Sequence, residues 1–299
     1  MTEAHAEAPS RLTRIVRVLA PNPGLRELEG TNTWVVGRWP AAVIDPAVDD
    51  ARHLGEVLEA AGRVGAILLT HDHPDHAPGA GTLAAMTGAP VYAARPAEGW
   101  RRLRDGQEIR LPGVRLRAIA TPGHAPDHVA FFLERDRALF TGDAVLGRGT
   151  SVIDPPEGDL AQYLRSLRRL RELRPRTIYP GHGPVVLDAM AKLEEYLAHR
   201  EERERQVLEG LAEGPRTPEE LVPSIYAGYP AELHPLAARS VLAHLLKLEA
   251  EGRVRRVRSD GGTAFELADP RACARCGRPV AGRARLCGPC SLAVLQETE

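Results

Sequence analysis

The chain has 299 residues, 43% of them apolar, and a formal net charge of −1, so it is long enough for two domains and carries no global charge that would draw a polyanion. No apolar run approaches the ~20 residues of a membrane span, and residues 1–10 lack the basic-then-apolar pattern of a signal peptide; a cytoplasmic protein is the expectation. All four Cys fall in the last 27 residues in two spaced pairs, which points to metal rather than disulfides in a reducing compartment.

Residues 11–37 alternate apolar and polar positions and end in Gly30-Thr-Asn-Thr-Trp-Val-Val-Gly37; Ala41-Ala-Val-Ile-Asp45 follows a short turn. These read as neighbouring strands. Asp49 is the expected N-cap of a helix over 51–61, with Leu54, Val57, Leu58 and Ala61 on one face. Ala66-Ile-Leu-Leu69 then reads as a buried strand leading into Thr70-His71-Asp72-His73-Pro74-Asp75-His76. A single His at a strand end is ordinarily a polar surface residue. His71, His73, Asp75 and His76 within six positions need another explanation, and imidazole with carboxylate is the donor set a borderline divalent ion such as zinc prefers. In extended backbone, side chains two apart point the same way, so His71, His73 and Asp75 are expected to converge, with His76 projecting from the far side of the turn that Pro74 restricts.

The Gly- and Ala-containing stretch 78–88 is able to open as a helix, with 83–88 its expected helical run, and strands at 90–93, 109–111 and 114–120 come next. Three phrases built alike follow: Ile119-Ala-Thr-Pro-Gly-His124, Ala138-Leu-Phe-Thr-Gly-Asp143 and Thr177-Ile-Tyr-Pro-Gly-His182. Each is an apolar run, a turn and a metal-ligating side chain. Strands ending on one edge would bring all three to one cleft with the 71–76 loop. Residues 159–174 form an amphipathic helix whose arginines are a solvated face.

From Lys192 the texture changes. Residues 194–210 are charged and helical, Thr217-Pro-Glu-Glu220 is a capping box with Pro at the first helical position, and a helix over 235–251 ends at Gly252. Residues 253–258 and 263–267 flank Asp260-Gly-Gly262 as a hairpin. Three helices and a hairpin are the layout of a winged helix. The tail carries Cys273-Ala-Arg-Cys276 and Cys287-Gly-Pro-Cys290, four thiolates suited to one tetrahedral structural zinc. Between Arg253 and Arg285 nine arginines face three acids, so this end is the basic one. The expected domains are 1–193, 194–269 and 270–299.

Residues 12–193 resemble the metallo-β-lactamase fold superfamily through His71-x-His73-x-Asp75-His76, His124, Asp143 and Pro-Gly-His182-Gly. The resemblance implies an α/β chain folded as an αββα sandwich around a dinuclear site. His71, His73 and His124 would hold one metal, Asp75, His76 and His182 the other, and Asp143 would bridge them. The chain is more closely similar to the β-lactamase-like protein 2 subgroup, whose characterised relatives include a single-strand-specific endoribonuclease. That similarity rests on Thr-Gly-Asp143-Ala-Val-Leu-Gly-Arg-Gly-Thr150, Gly-His182-Gly-Pro, His199-Arg200, Ile225-Tyr226 and His244-Leu-Leu-Lys-Leu-Glu249. The four-Cys tail departs from that subgroup.

The resemblance implies a hydrolase with two zinc ions, iron or manganese being open. Their shared water is lowered in pKa to give an attacking hydroxide oriented by the catalytic Asp75. His128 is either a support for the ligands or plain packing, and Gly149, Thr150 and Ser151 would line the cleft. The first expected substrate is single-stranded RNA, with the winged helix and basic tail holding it. A small thioester, as for hydroxyacylglutathione hydrolase, is the alternative. A nucleic-acid-binding regulator is the third reading.

Overall fold

A computed structural model describes residues 12–259 and 262–268. The chain divides into two compact units, residues up to 151 with 162–197, and residues 152–161 with those from 198 onward. In the first, strands β1 (Ile15–Leu19), β2 (Asn32–Gly37), β3 (Ala41–Ile44), β4 (Val64–Leu68), β5 (Val91–Ala93) and β6 (Arg101–Arg102) form one sheet in that order. Pairing is antiparallel from β1 to β3 and parallel from β3 to β6. Strands β7 (Glu108–Leu111), β8 (Val114–Ala120), β9 (Val129–Leu133), β10 (Ala138–Gly142) and β11 (Thr177–Pro180) form a second sheet in the order β11-β10-β9-β8-β7, with β10 and β11 parallel.

The two sheets share one apolar layer. Trp34, Val36, Ile44 and Leu68 from the first meet Leu116, Phe131 and Phe140 from the second. The alternate residues Val35, Val43 and Ile67 point the other way, into a layer with Leu54 and Val57 of α1 (Ala51–Ala61) and Leu83 of α2 (Gly79–Thr87). Strand β4 is therefore buried on both faces, which is why it reads as an unbroken apolar run rather than an alternation. Truncating a fully buried ring such as Phe131 to Ala would cost about 3–5 kcal/mol. The outer face of the second sheet is buried at Ile119, Ala130 and Leu139. There α3 (Leu160–Glu172) is fastened to the end of β8, Ser166 donating to the Pro122 carbonyl and Arg169 to the Ala120 carbonyl.

Two boundaries and one strand show where the structure departs from the sequence reading. The N-cap of α1 is Asp50, not Asp49: its backbone is extended and its carboxylate accepts from the His53 N–H at 2.8 Å. Helix α2 begins at Gly79, inside the 78–88 stretch and four residues before the 83–88 run, where Gly79 lies close under residues 46–48; a Cβ on Gly79 would sit 2.3 Å from the Pro46 carbonyl oxygen. Strand β9 fell between two ligand phrases and was not expected; all five of its residues are buried.

In the second unit α4 (Ala189–Leu211, shared with the first unit), α5 (Pro218–Ile225), α6 (His234–Ala250) and the hairpin β12 (Val254–Ser259) and β13 (Gly262–Leu267) form a winged helix. Its core joins Val207, Leu221, Val222, Val241, Leu245 and Phe265. The expected capping box is present at Thr217 and Glu220. Cys273, Cys276, Cys287 and Cys290 lie outside the described residues. No helix among the described residues is long and apolar enough to cross a membrane.

Candidate metal centre

The ligand-bearing turns lie at the ends of β4, β8, β10 and β11, and they bring seven side chains together in two groups: His71, His73 and His124, then Asp75, His76, Asp143 and His182. Within each group one donor atom from every residue lies within 4.8 Å of the others. His71 and His73 follow β4 in open backbone, whereas residues 74–76 form a turn closed by the His76 N–H on the His73 carbonyl at 3.0 Å. The expected line of His71, His73 and Asp75 is thus broken at Pro74: the turn carries Asp75 and His76 into the second group. Asp72 points elsewhere, 3.7 Å from Arg95.

Asp143 faces both groups. Its Oδ2 is 3.6 Å from His124 Nε2, and its Oδ1 is 3.4 Å from His76 Nε2 and 3.2 Å from His182 Nε2. Asp75 Oδ2 is 3.2 Å from His182 Nε2 and 3.5 Å from His76 Nε2. The Asp143 turn needs Gly181 beside it: a Cβ there would lie 2.7 Å from Asp143 Oδ1 and 2.8 Å from His76 Cε1.

Asp45 is the residue the sequence reading missed. It is 2% exposed and holds a left-handed φ of 51°, which Asp tolerates better than most residues. Its Oδ1 accepts the Thr70 N–H at 2.7 Å, and its Oδ2 accepts the Thr70 hydroxyl at 2.7 Å and His76 Nδ1 at 2.9 Å. The Thr70 hydroxyl has one proton and gives it to Asp45, so it must accept from His71 Nδ1, 2.9 Å away. Both imidazoles are thereby fixed with the proton on Nδ1 and a lone pair on Nε2. His182 Nδ1 faces the Gly30 carbonyl at 3.4 Å, which sets the same tautomer. The signal for Asp45 was present in Ala41-Ala-Val-Ile-Asp45, a fourth apolar run ending in a potential ligand.

Those tautomers test whether a cation fits. His71 Nε2 is buried with no hydrogen-bond partner among the described residues. His76 Nε2 and His182 Nε2 face each other at 3.3 Å. Two lone pairs at that distance repel unless a proton or a cation lies between them. Asp143 Oδ1 likewise has no hydrogen-bond donor despite its two close imidazoles. Imidazole and carboxylate donors converging with lone pairs inward fit divalent zinc, iron or manganese.

Electrostatics separates the groups. Burial, reinforced by His76 and His128, holds His71 well below the usual imidazole range. Burial pulls on His182 in the same direction, but the Asp143 and Asp75 carboxylates outweigh it and lift it to about 9. His76 is raised well above its ordinary value, against burial, by Asp143 and Asp45. Asp143 is lowered well below the carboxylate range, again against burial, by His76 and His182.

His128 supplies no donor to either group. It is 1% exposed, its Nδ1 pairs with the Thr121 hydroxyl at 2.8 Å, and its Nε2 accepts the Asp143 backbone N–H at 3.1 Å. Ser151 Oγ donates to the Asp143 carbonyl at 2.6 Å. Gly149 is exposed with φ 73°, its carbonyl accepting from the Tyr196 hydroxyl, and Thr150 is half-buried; neither contributes a donor. The His182 turn is clamped from the other sheet, where Asn32 Nδ2 donates to the Pro180 and Gly183 carbonyls and Trp34 Nε1 to the Pro180 carbonyl.

Two facing sheets flanked by helices, with a His and Asp centre at the strand ends, define the class: a metallo-β-lactamase-fold protein of the dimetal type. The chain belongs to the Metallo-beta-lactamase superfamily, whose sequence pattern matches residues 26–102 and 92–182, and it carries a Beta-lactamase associated winged helix domain over 217–263. It is 34% identical over 274 residues to a Beta-lactamase-like protein 2 homolog of Drosophila melanogaster, covering 83% of this chain and 92% of that one. An Atrochrysone carboxyl ACP thioesterase of Aspergillus fumigatus is 36% identical over 242 residues, covering 74% and 76%. A crystal structure of a metallo-beta-lactamase family protein from Thermus thermophilus superposes with a TM-score of 0.72 at 27% identity, covering 85% of this chain and 98% of that one.

Proposed function

We propose that this protein is a dinuclear metal-dependent hydrolase acting on phosphodiester bonds of single-stranded RNA. The observation that carries the hydrolase reading is the pair of donor groups with Asp143 turned to both. His71, His73 and His124 would hold one cation, Asp75, His76 and His182 the other, and Asp143 would contact each. Bound there, two divalent cations supply a water of lowered pKa and positive charge for the oxygen that becomes anionic. Asp45 holds His71 and His76 in the tautomer that donates from Nε2. Asp75 is more open to solvent than Asp143, its side chain being 22% against 13% exposed, so its carboxylate would orient the attacking water while Oδ2 faces the imidazoles of the second group.

The winged helix supports RNA as substrate, as does the resemblance to the β-lactamase-like protein 2 subgroup, whose name the Drosophila relative bears. The arginines in and just before strand β12 support it less than the sequence suggested: Arg253, Arg255 and Arg256 are ion-paired with Glu204, Glu266 and Glu249. A second reading, thioester hydrolysis, is favoured by the name of the Aspergillus fumigatus relative. The experiment sets single-stranded RNA, double-stranded RNA and acyl thioesters of glutathione and coenzyme A before the protein loaded with zinc, iron or manganese. Chelator-sensitive loss of single-stranded RNA is the expected result. Turnover of a thioester with RNA left intact replaces the first reading with the second. RNA or DNA binding that survives His73→Ala without any hydrolysis assigns a regulator instead. We further propose a cytoplasmic location and a structural zinc on Cys273, Cys276, Cys287 and Cys290, which predicts one additional zinc per chain, lost when those residues become Ser.

A further inference from the structure

The loop that leaves the metal centre is fixed along its length. Ser151 Oγ bonds the Asp143 carbonyl, and the Tyr163 hydroxyl donates to the Ala144 carbonyl at 2.7 Å. The Tyr196 hydroxyl accepts from the Leu146 N–H and donates to the Gly149 carbonyl, both at 2.9 Å. These bonds hold the backbone on which Asp143 is mounted. Immediately after Ser151 the chain passes into the other compact unit, since residues 152–161 group with the winged helix.

There Arg239 of α6 grips the segment. Its Nε donates to the Asp154 carboxylate and its Nη2 to the Pro155 carbonyl. The Gly158 N–H closes a turn on the Asp154 carbonyl at 2.8 Å. A Cβ on Gly158 would meet the Asp154 nitrogen at 2.5 Å, so the turn is tight. A half-exposed ion pair by itself stabilises little. Arg239 differs from pairs such as Arg205 with Glu202 and Glu209, which join side chains only. Its planar fork takes a side-chain oxygen and the next main-chain oxygen together, and so fixes where the backbone runs.

We propose that Arg239 is a positioning residue: through Asp154 and Pro155 it sets the exit of the Asp143–Ser151 loop, which carries the candidate ligand Asp143. Covalent continuity carries the link, because only two residues, 152 and 153, separate the Asp143-supporting Ser151 from Asp154. The catalytic consequence rests on the hydrolase reading; the effect on cation binding does not.

The test uses full-length protein with Arg239→Ala, Arg239→Lys, Asp154→Asn and the Arg239→Ala/Asp154→Asn pair. Each is titrated with Mn²⁺ and assayed on a chromogenic phosphodiester, with circular dichroism following the helices. Arg239→Ala is expected to weaken Mn²⁺ binding about fivefold, the upper range for a half-exposed pair. Arg239→Lys keeps the charge without the fork and recovers only part of it. The double variant is expected to be no worse than the worse single, because both remove one tether. Wild-type Mn²⁺ affinity in Arg239→Ala and Asp154→Asn, or strictly additive losses, would overturn the proposal. Should the wild-type protein leave the diester intact, the substrate reading suffers while the Mn²⁺ titration still decides the tether.

Discussion

The two halves of the metal centre are built on opposite electrostatic plans. His71, His73 and His124 bring imidazole alone, whereas Asp75, His76, Asp143 and His182 bring two carboxylates. Burial, with His76 and His128, keeps His71 neutral, while Asp143 prevails over burial and draws positive charge onto His76 and His182. In the first group His71 competes with protons hardly at all for a cation; in the second, cation and proton want the same atoms of His76 and His182. Asp143 faces the ligands of both groups directly. The largest effect therefore belongs to Asp143→Asn, expected to abolish hydrolysis and to lower the affinity of both groups. His71→Ala should empty only the three-imidazole group and leave one cation per chain at the other. Metal content after dialysis separates these outcomes, and two tightly held cations in Asp143→Asn would break the comparison.

A second substitution sharpens it from behind. Asp45 touches one ligand of each group, His76 directly and His71 through Thr70. Asn is well suited to the φ of 51° at this position, so Asp45→Asn spares the backbone and removes the anionic acceptor. The expected loss is about 10- to 100-fold in metal affinity or activity. It should fall on both groups together. A loss confined to the carboxylate group would show that Thr70 alone fixes His71.

How much of this was legible in the sequence depends on how local each feature is. His124, Asp143 and His182 each follow an apolar run and a turn within a few residues, so their placement at strand ends could be read from spacing. Asp45 ends a run of the same kind but stands alone, and nothing local says that its partners lie 25 and 31 residues on. The break at Pro74 was misjudged because period-two alternation holds only while the chain stays extended. Helix α2 starts before the 83–88 run, where Gly79 passes close under Pro46, a tertiary contact that propensity cannot report. The capping box at Thr217 was legible because all its atoms lie within four residues.

The pH response of the cation-free protein tests the carboxylate plan directly. His182 is raised from 6.5 to about 9 in the fold, so its protonation stabilises the native state fully below about pH 6.5, and that contribution is lost as pH rises through 9. Thermal unfolding midpoints of chelated protein should decline across this window. Saturating zinc takes the same atoms from the proton, so the decline should flatten. An equal decline in both forms would place the titrating group elsewhere in the molecule.

The smallest expected change is a control on the comparison. The Thr217 hydroxyl oxygen accepts the Glu220 N–H while the Glu220 carboxylate accepts the Thr217 backbone N–H, so Thr217→Ala leaves the Glu220 N–H without its acceptor at the start of α5. The expected cost is about 1 kcal/mol in the winged-helix unit, read by denaturant unfolding. The Thr217 cap engages Glu220, whereas the Arg239 fork engages Asp154 and Pro155, so neither donor group should notice. Unchanged Mn²⁺ titration of both groups in Thr217→Ala, beside a weakened one in Arg239→Ala, would separate a specific tether from a general loosening of that unit. A Thr217→Ala protein that lost cation affinity would mean that the stability of the winged helix as a whole reaches Asp143, and the contrast between the two groups could not then be ascribed to their own side chains.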